Sequence, residues 1–357
     1  MTTENILNTL LSTTSDPLTG LTAADLGIKY EFIDKPPLLS VKLLTGFPCM
    51  DLQKSLLPLL TEALKQTLPQ YQVQISLESF IKAHRTQLAG KGLRGVKNTI
   101  AIGSGKGGVG KSTVTVHLAK ALSEQGARVG ILDADIYGPS IPTMLGQTPP
   151  VEIHDDHYLP VMAHGVQAMS IGYLTQDDSA LIWRGPMLAK ALIQMLDLTL
   201  WDDLDYLLID LPPGTGDIQL SLVQKIPLTA AIVVTTPQNV ATQDAQKALM
   251  MFNKMGIDVL GVIENMSLHT CSQCGHQETL FGHGGAQRLC ETYQTMLLGQ
   301  LPLDPQITTQ CDAGMPQTRY SQAASCDAFH KTALIVAAEL SKRPPNYESK
   351  FPPIVAE

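Results

Sequence analysis

The chain has 357 residues, 44% hydrophobic and 16% charged, which is too apolar for a disordered tail and long enough for a large domain with or without a small one. Lys+Arg 25 against Asp+Glu 33 gives a formal net charge of -8, the wrong sign for a chain whose main partner is nucleic acid or an anionic membrane surface. No apolar run approaches the ~20 residues of a membrane-spanning helix, and the N-terminal MTTENILNTLLSTTSD lacks the basic region and small-residue cleavage site of a secretory signal, so a cytoplasmic protein is expected.

In chain order, Ile6, Leu7, Leu10 and Leu11 predict a short helix, Leu38 to Leu44 a strand, Leu52, Leu56, Leu59 and Leu60 a second helix, and Val73, Ile75 and Leu77 a second strand. Residues 1–85 are therefore expected to form a small α+β unit. The stretch KAHRTQLAGKGLRGVK, Lys82 to Lys97, mixes basic residues with glycines and reads as a solvated linker, with 86–97 as its core.

From Asn98 the pattern changes. Apolar strands are predicted at Thr99 to Ile102, Arg128 to Leu132, Tyr206 to Ile209, Ala230 to Val234 and Val259 to Ile263. Helical periods lie between them, as at Lys111 to Glu124, where Val114, Leu118 and Leu122 share one face. Near-continuous apolar strands alternating with helices predict an α/β domain, a parallel sheet flanked by helices, over residues 98–343. The tail at 344–357, PPNYESKFPPIVAE, is proline-rich and expected to fray.

Gly105-Lys106-Gly107-Gly108-Val109-Gly110-Lys111-Ser112 fits G-x-x-x-x-G-K-S/T and lies between a predicted strand and a predicted helix. Glycines let several backbone N–H groups turn toward a polyphosphate, and the helix that follows adds its positive end. Lys111 would meet the outer phosphates and Ser112 would ligate magnesium. Lys106 is surplus to that task and suits a second nucleotide.

A magnesium nucleotide also needs carboxylates at neighbouring strand ends. Asp133 and Asp135 follow one strand, and Asp210 ends another, followed by the small-residue loop 211–217. A lone aspartate there more often caps the next helix, but three after a P-loop point to the metal. Asp210 is expected to hold magnesium through water.

Cys271 and Cys274 form a C-x-x-C pair whose sulfurs can face one metal, while Cys49, Cys290, Cys311 and Cys326 are scattered. Zinc or an iron–sulfur cluster wants about four ligands, and the pair supplies two. A two-fold dimer could supply the rest, His276 or His283 could complete a zinc site, or Cys290 with another cysteine could join within one chain. A thioredoxin-like dithiol is disfavoured because glycine and histidine follow the pair.

Together these residues resemble the Mrp/ApbC/Nbp35-type P-loop ATPases that carry iron–sulfur clusters, a branch of the deviant Walker A family. The resemblance runs from about Val96 to about Ser341 through GSGKGGVGKST at 103–113, LDADIYGPSIP at 132–142, WRGPM at 183–187, DLPPGTGD at 210–217, TPQNVATQD at 236–244, ENMS at 264–267, CSQCG at 271–275 and FGHGGA at 281–286. It implies ATP and Mg2+ bound at 105–112 with Thr113, and a homodimer in which Lys106 reaches the partner's nucleotide. It also places Asp133 in the magnesium shell, Asp135 beside the attacking water and Asn265 on the adenine edge, where an amide offers donor and acceptor. Finally it implies a 4Fe-4S cluster bridged by Cys271 and Cys274 of two subunits and passed to apo-proteins, with scaffold proteins as partners.

The N-terminal unit resembles the MIP18-like (DUF59) domain through Asp16-Pro17 and Leu26-Gly27, but Cys49 is followed by Met50 instead of proline. Other readings are a ParA/MinD-like positioning ATPase, which leaves the C-x-x-C pair unexplained, a dimeric ATPase with structural zinc, and an ATP-coupled reductase.

Overall fold

The computed structural model describes residues 2–146, 151–174, 185–319 and 327–346. The N-terminal unit comprises α1 (Thr3–Thr13), β1 (Lys29–Lys35), β2 (Leu38–Thr45), α2 (Met50–Thr67) and β3 (Gln72–Ser79). Its sheet has the order β1-β2-β3, with β1 antiparallel and β3 parallel to β2. Helix α2 puts Leu52, Leu56, Leu60 and Leu64 on one buried stripe at four-residue spacing, the i, i+4 period that an amphipathic helix uses to cover a sheet.

The second unit continues with β4 (Val96–Ser104), α3 (Lys111–Glu124), β5 (Val129–Asp133), α4 (Ile141–Leu145), β6 (Ile153–His154), β7 (His157–Tyr158), β8 (Val161–Ala163), β9 (Val166–Ser170), α5 (Ile171–Leu174) and α6 (Gly185–Leu198). It closes with β10 (Leu204–Asp210), α7 (Asp217–Lys225), β11 (Ala230–Thr235), α8 (Asn239–Lys254), β12 (Val259–Thr270), β13 (Gln277–Glu278), α9 (Gly285–Tyr293), β14 (Leu297–Leu303), α10 (Pro305–Asp312) and α11 (Ala328–Ser341).

Its sheet runs β13-β12-β11-β4-β10-β5-β9-β8, with β14 also on β12. Pairing is parallel from β14 through to β9 and antiparallel only at β13 and β8. Helices on both faces explain the unbroken apolar strands. Ile100 and Ile102 of β4 and Leu208 of β10 are wholly buried, each worth roughly 1.5–3 kcal/mol of transfer free energy. Crossovers bring the carboxyl ends of β4, β5 and β10 to one edge, the place where open parallel sheets bind ligands.

The stretch expected to be a solvated linker is tied down instead. His84 is 4% exposed and its Nδ1 lies 2.9 Å from Asn98 Oδ1, and the Gln87 amide donates to the carbonyls of Val223 and Ile226. The start of the expected flexible tail is also held, since Arg85 N donates to Pro344 O and Asn346 N to Ala83 O. Positions 183 and 184 of the WRGPM motif, Cys326 and 347–357 lie outside the described residues. No helix among the described residues is long and apolar enough to cross a membrane.

Candidate functional site

The turn between β4 and α3 carries the glycine-rich run. Gly110 caps α3 with φ 80° and no side-chain hydrogen bond, which leaves the first N–H groups of the helix for an anion. A Cβ on Gly110 would lie 2.3 Å from Asn265 Nδ2, and one on Gly105 would lie 2.0 Å from the carbonyl carbon of Asp244. Glycine at these two positions lets the loop lie against β12 and α8. Gly107 and Gly108 are exposed at the mouth, and Val109 is buried beneath it. Thr113 lies on the first turn of α3 and its carbonyl meets His117 Nδ1 at 2.7 Å.

Asp210 is fully buried at the end of β10. Its Oδ2 accepts from Ser112 Oγ at 2.6 Å and its Oδ1 from Thr115 Oγ1 at 2.9 Å, while Lys111 Nζ lies 2.7 Å from Oδ1. Lys111 Nζ is also 3.9 Å from Asp135 Oδ2. Lysine, serine and two carboxylates thus converge, as their spacing implied. Thr115 was not singled out from the sequence; it lies one turn beyond Ser112 on the same helix face.

Asp133 is placed differently from a direct metal ligand. Its Oδ1 accepts from Asp135 N, and its Oδ2 from Ile141 N and Ser170 Oγ. Burial and then the neighbouring Asp210 charge push its carboxyl up to about 8. Burial also raises the Asp135 carboxyl, opposed by Lys111 and assisted by Asp210. The donor set is hard oxygen around one lysine, an electrostatic deficit that suits Mg2+ brought by a nucleotide. A cavity of ≈ 710 Å³ opens beside Asp135, lined by Tyr137, Pro212, Pro213 and Lys225. Gln219, 2% exposed, lines it, and neither amide atom has a hydrogen-bond partner among the described residues.

Lys106 is half-buried at the loop and forms no ion pair among the described residues. Asn265 does reach the loop, but its Nδ2 donates to Val109 O at 2.9 Å. The amide assigned to a base therefore already supports the loop that would hold the phosphates.

Cys271 follows directly on the last residue of β12, and the pair forms the tip of a hairpin closed by β13. Gly275, at φ 71°, makes the turn, with Gly275 N donating to Cys271 O and Cys271 N to His276 O. Backbone N–H groups of Cys274 and Gln273, then the Cys274 side chain, hold the Cys271 thiol below its ordinary value, which favours the thiolate that ligates soft metals. Residues 272–283 are all exposed. Among the described residues no group of three or more His, Cys, Asp or Glu side chains could hold a metal ion. Among the described residues His276, His283 and Cys290 form no such group with the pair, and Cys290 is buried in α9 with its thiol pushed up to about 11. Cys49 is likewise buried, at the start of α2, and burial raises its thiol.

The chain is 60% identical over 227 residues to the iron-sulfur cluster carrier protein of Salmonella typhimurium, covering 63% of this chain and 62% of that relative. It is 56% identical over 251 residues to that of Haemophilus influenzae, covering 70% and 68%, and 46% over 274 residues to that of Deinococcus radiodurans, covering 76% and 77%. The match thus spans less than two thirds of the Salmonella relative's length. Among solved structures, the nucleotide-binding protein in complex with ADP from Archaeoglobus fulgidus is 39% identical with a TM-score of 0.56, covering 62% of this chain and 87% of that one. The cell division ATPase MinD of Pyrococcus furiosus is 25% identical with a TM-score of 0.51, covering 67% and 98%. Residues 95–337, more than half of the chain, match the family described as ParA: NUBPL iron-transfer P-loop NTPase, and the protein belongs to that family.

Proposed function

We propose that this protein is an ATP-dependent carrier that takes up a 4Fe-4S cluster between two copies of the chain and passes it to apo-proteins. The observation that carries this reading is the exposed Cys271/Cys274 hairpin, which offers two thiols and finds no further ligand within the chain among the described residues. Two hairpins make four thiolates, the ligand number of such a cluster. Leu280 and Phe281, exposed in the segment that follows the hairpin, offer apolar surface that a second copy would cover. The relatives' name, iron-sulfur cluster carrier protein, supports the same cargo. Scaffold proteins that assemble clusters would load it.

In the nucleotide site, Lys111 now held by Asp210 turns to the outer phosphates, and Lys106 of one subunit reaches the nucleotide of the other. Ser112 and Asp210 would hold magnesium, with Asp133 behind them. Bound Mg2+ supplies positive charge to the phosphate oxygens. Asp135 orients the water, and the loop 211–217 relaxes when the outer phosphate leaves. Hydrolysis is slow because the site acts as a switch. The N-terminal unit is assigned to the MIP18-like type.

The test is iron, acid-labile sulfide and zinc analysis of protein purified without oxygen, beside a Cys271→Ala/Cys274→Ala variant. About four irons and four sulfides per dimer, absent from the variant, is the expected result. Stoichiometric zinc, or no metal after reconstitution, overturns the carrier reading.

A further inference from the structure

One strand joins the two sites. β12 runs from Val259 to Thr270, passes the P-loop at Asn265 and delivers Cys271 immediately after its end. It is not regular along that length. Its ladder with β11 stops at Glu264, and its register against β14 shifts between Glu264 and Leu268. Within this bulge Met266 has φ 56°, a left-handed conformation that costs a residue with a side chain about 1–3 kcal/mol. A bulge re-aims side chains, and this one aims two at the phosphate loop. Asn265 bonds Val109 O, and the Met266 methyl lies 3.6 Å from where a Cβ on Gly110 would stand.

Glu264 holds the bulge from behind. It is 1% exposed, and its Oε1 accepts from Ser267 Oγ at 3.0 Å and from Gln300 Nε2 of β14 at 2.8 Å. Its Oε2 accepts from Ala286 N in the first turn of α9 at 3.0 Å, where the helix dipole also favours a carboxylate. β12 leads into the cysteine hairpin and α9 leads out of it. One buried carboxylate therefore ties together the strand entering the hairpin, the helix leaving it and the bulge that touches the P-loop.

We propose that Glu264 is a positioning residue that couples occupancy of the P-loop to the setting of the Cys271/Cys274 hairpin, through the bulge Glu264–Ser267. A polyphosphate seated on 105–112 bears on the Val109–Gly110 backbone, which bears on Asn265 and Met266. The bulge moves against Glu264, and both stems of the hairpin follow. The alternative route, through the loop 211–217, has no covalent continuity with the cysteines. The proposal rests on the reading of Cys271 and Cys274 as cargo ligands for its purpose, but not for its geometry.

The test uses the full chain without cluster. Alkylation of Cys271 and Cys274 by iodoacetamide is followed by peptide mass spectrometry, with no nucleotide, with Mg-ADP and with Mg-ATP. In the native protein the rate is expected to change about fivefold or more on adding nucleotide, the low end of ordinary coupling between sites. In Glu264→Gln that ratio falls toward one while nucleotide affinity, measured by titration, stays within about threefold. Ser267→Ala, which removes one donor and keeps the carboxylate, is expected to give an intermediate ratio and serves if Glu264→Gln does not fold. A native rate indifferent to nucleotide, or a ratio unchanged in both variants, overturns the proposal. Metal analysis of unalkylated protein after cluster reconstitution separates the two readings: nucleotide-dependent thiols in a chain that takes up no cluster would sink the carrier function and leave the coupling standing. A cluster held by thiols that ignore nucleotide would do the reverse.

Discussion

Helix α3 has a cluster of charge at each end, and the two are balanced differently. At its start, Asp133, Asp135 and Asp210 share one cation, Lys111. At its end, where α2 of the N-terminal unit and α11 meet it, Asp51, Glu124 and Asp327 face His330, Arg319 and Lys120. His330, 2% exposed, has Asp51 Oδ2 2.8 Å from Nδ1 and Glu124 Oε2 2.8 Å from Nε2, and Gln125 Nε2 and Thr318 Oγ1 each lie 3.0 Å from a ring nitrogen. Gln125 adds a further bond to Asp51. The carboxyls respond in opposite senses. Burial outweighs the cation at the first cluster and raises Asp133 and Asp135. At the second, burial alone would raise Asp51 and Glu124, but His330 with Arg319 lowers the one, and Lys120 with Thr318 and His330 lowers the other. A deficit marks a site that waits for a cation, and a balanced set marks a joint that holds the two units together.

The largest break in this contrast is Lys111→Ala. It removes the cation that the first cluster holds among the described residues, and hydrolysis of ATP should fall by about 10²–10³-fold, as when a charge-stabilising donor is lost; single-turnover assays measure it. A variant within twofold of native would show that Lys111 does not serve the phosphates. Next comes His330→Ala, which strips the joint of its central group and leaves Asp51 to Arg319 and Glu124 to Lys120 alone. Breaking a buried pair costs 3–5 kcal/mol, and the Glu124 side chain is 37% exposed, so about 3 kcal/mol is expected from urea titration, with hydrolysis per folded molecule unchanged. A loss below about 0.5 kcal/mol would reduce the joint to an ordinary surface cluster.

The first cluster was legible in the sequence and the second was not, for a physical reason. Lys111, Ser112, Asp133, Asp135 and Asp210 stand at fixed offsets from strands that are buried on both faces and so read as apolar runs. Asp51, Glu124 and His330 belong to three elements, and only the packing of the two units brings them together. The same limit hid Ser170 and the bonds of Glu264 to Ala286 and Gln300, whose partners are distant in sequence. β1 escaped because KYEFIDK is an edge strand with only Tyr30 and Phe32 half-buried. β12 was cut short at Ile263 because ENMSLHT is polar, and those residues form a site wall beyond the apolar stretch. Lys82 to Lys97 misled by composition: most of its charges reach solvent, but His84 and Gln87 are anchored by hydrogen bonds that composition does not register.

A smaller effect tests the sign of the contrast. Asp133→Asn removes a carboxylate from the deficient cluster and keeps a shape that can bond Ser170 and the backbone. In EDTA without nucleotide it should leave the chain as stable or raise Tm by about 2–4 °C, which is roughly 1 kcal/mol for a domain of this size, while hydrolysis is lost. Asp51→Asn should lower Tm. Equal losses from both would erase the distinction.

The smallest effect is a change of slope with pH, and it follows from linkage. Asp51 and Glu124 are lowered in the folded chain, so their contribution is fully present above the ordinary carboxylate range. It drains away as pH falls through their lowered values, because there the unfolded chain binds more protons. Asp133 is raised to about 8, so between the ordinary carboxylate value and about 8 the folded chain holds a proton that the unfolded chain has released, and stability declines as pH rises. Urea midpoints in EDTA from pH 3 to pH 9 should therefore show an acid limb that His330→Ala flattens and a neutral limb that Asp133→Asn flattens, each variant sparing the other's limb. A single substitution that flattened both would mean that the two ends of α3 titrate as one system, and the contrast between an open cation site and a closed joint would have to be given up.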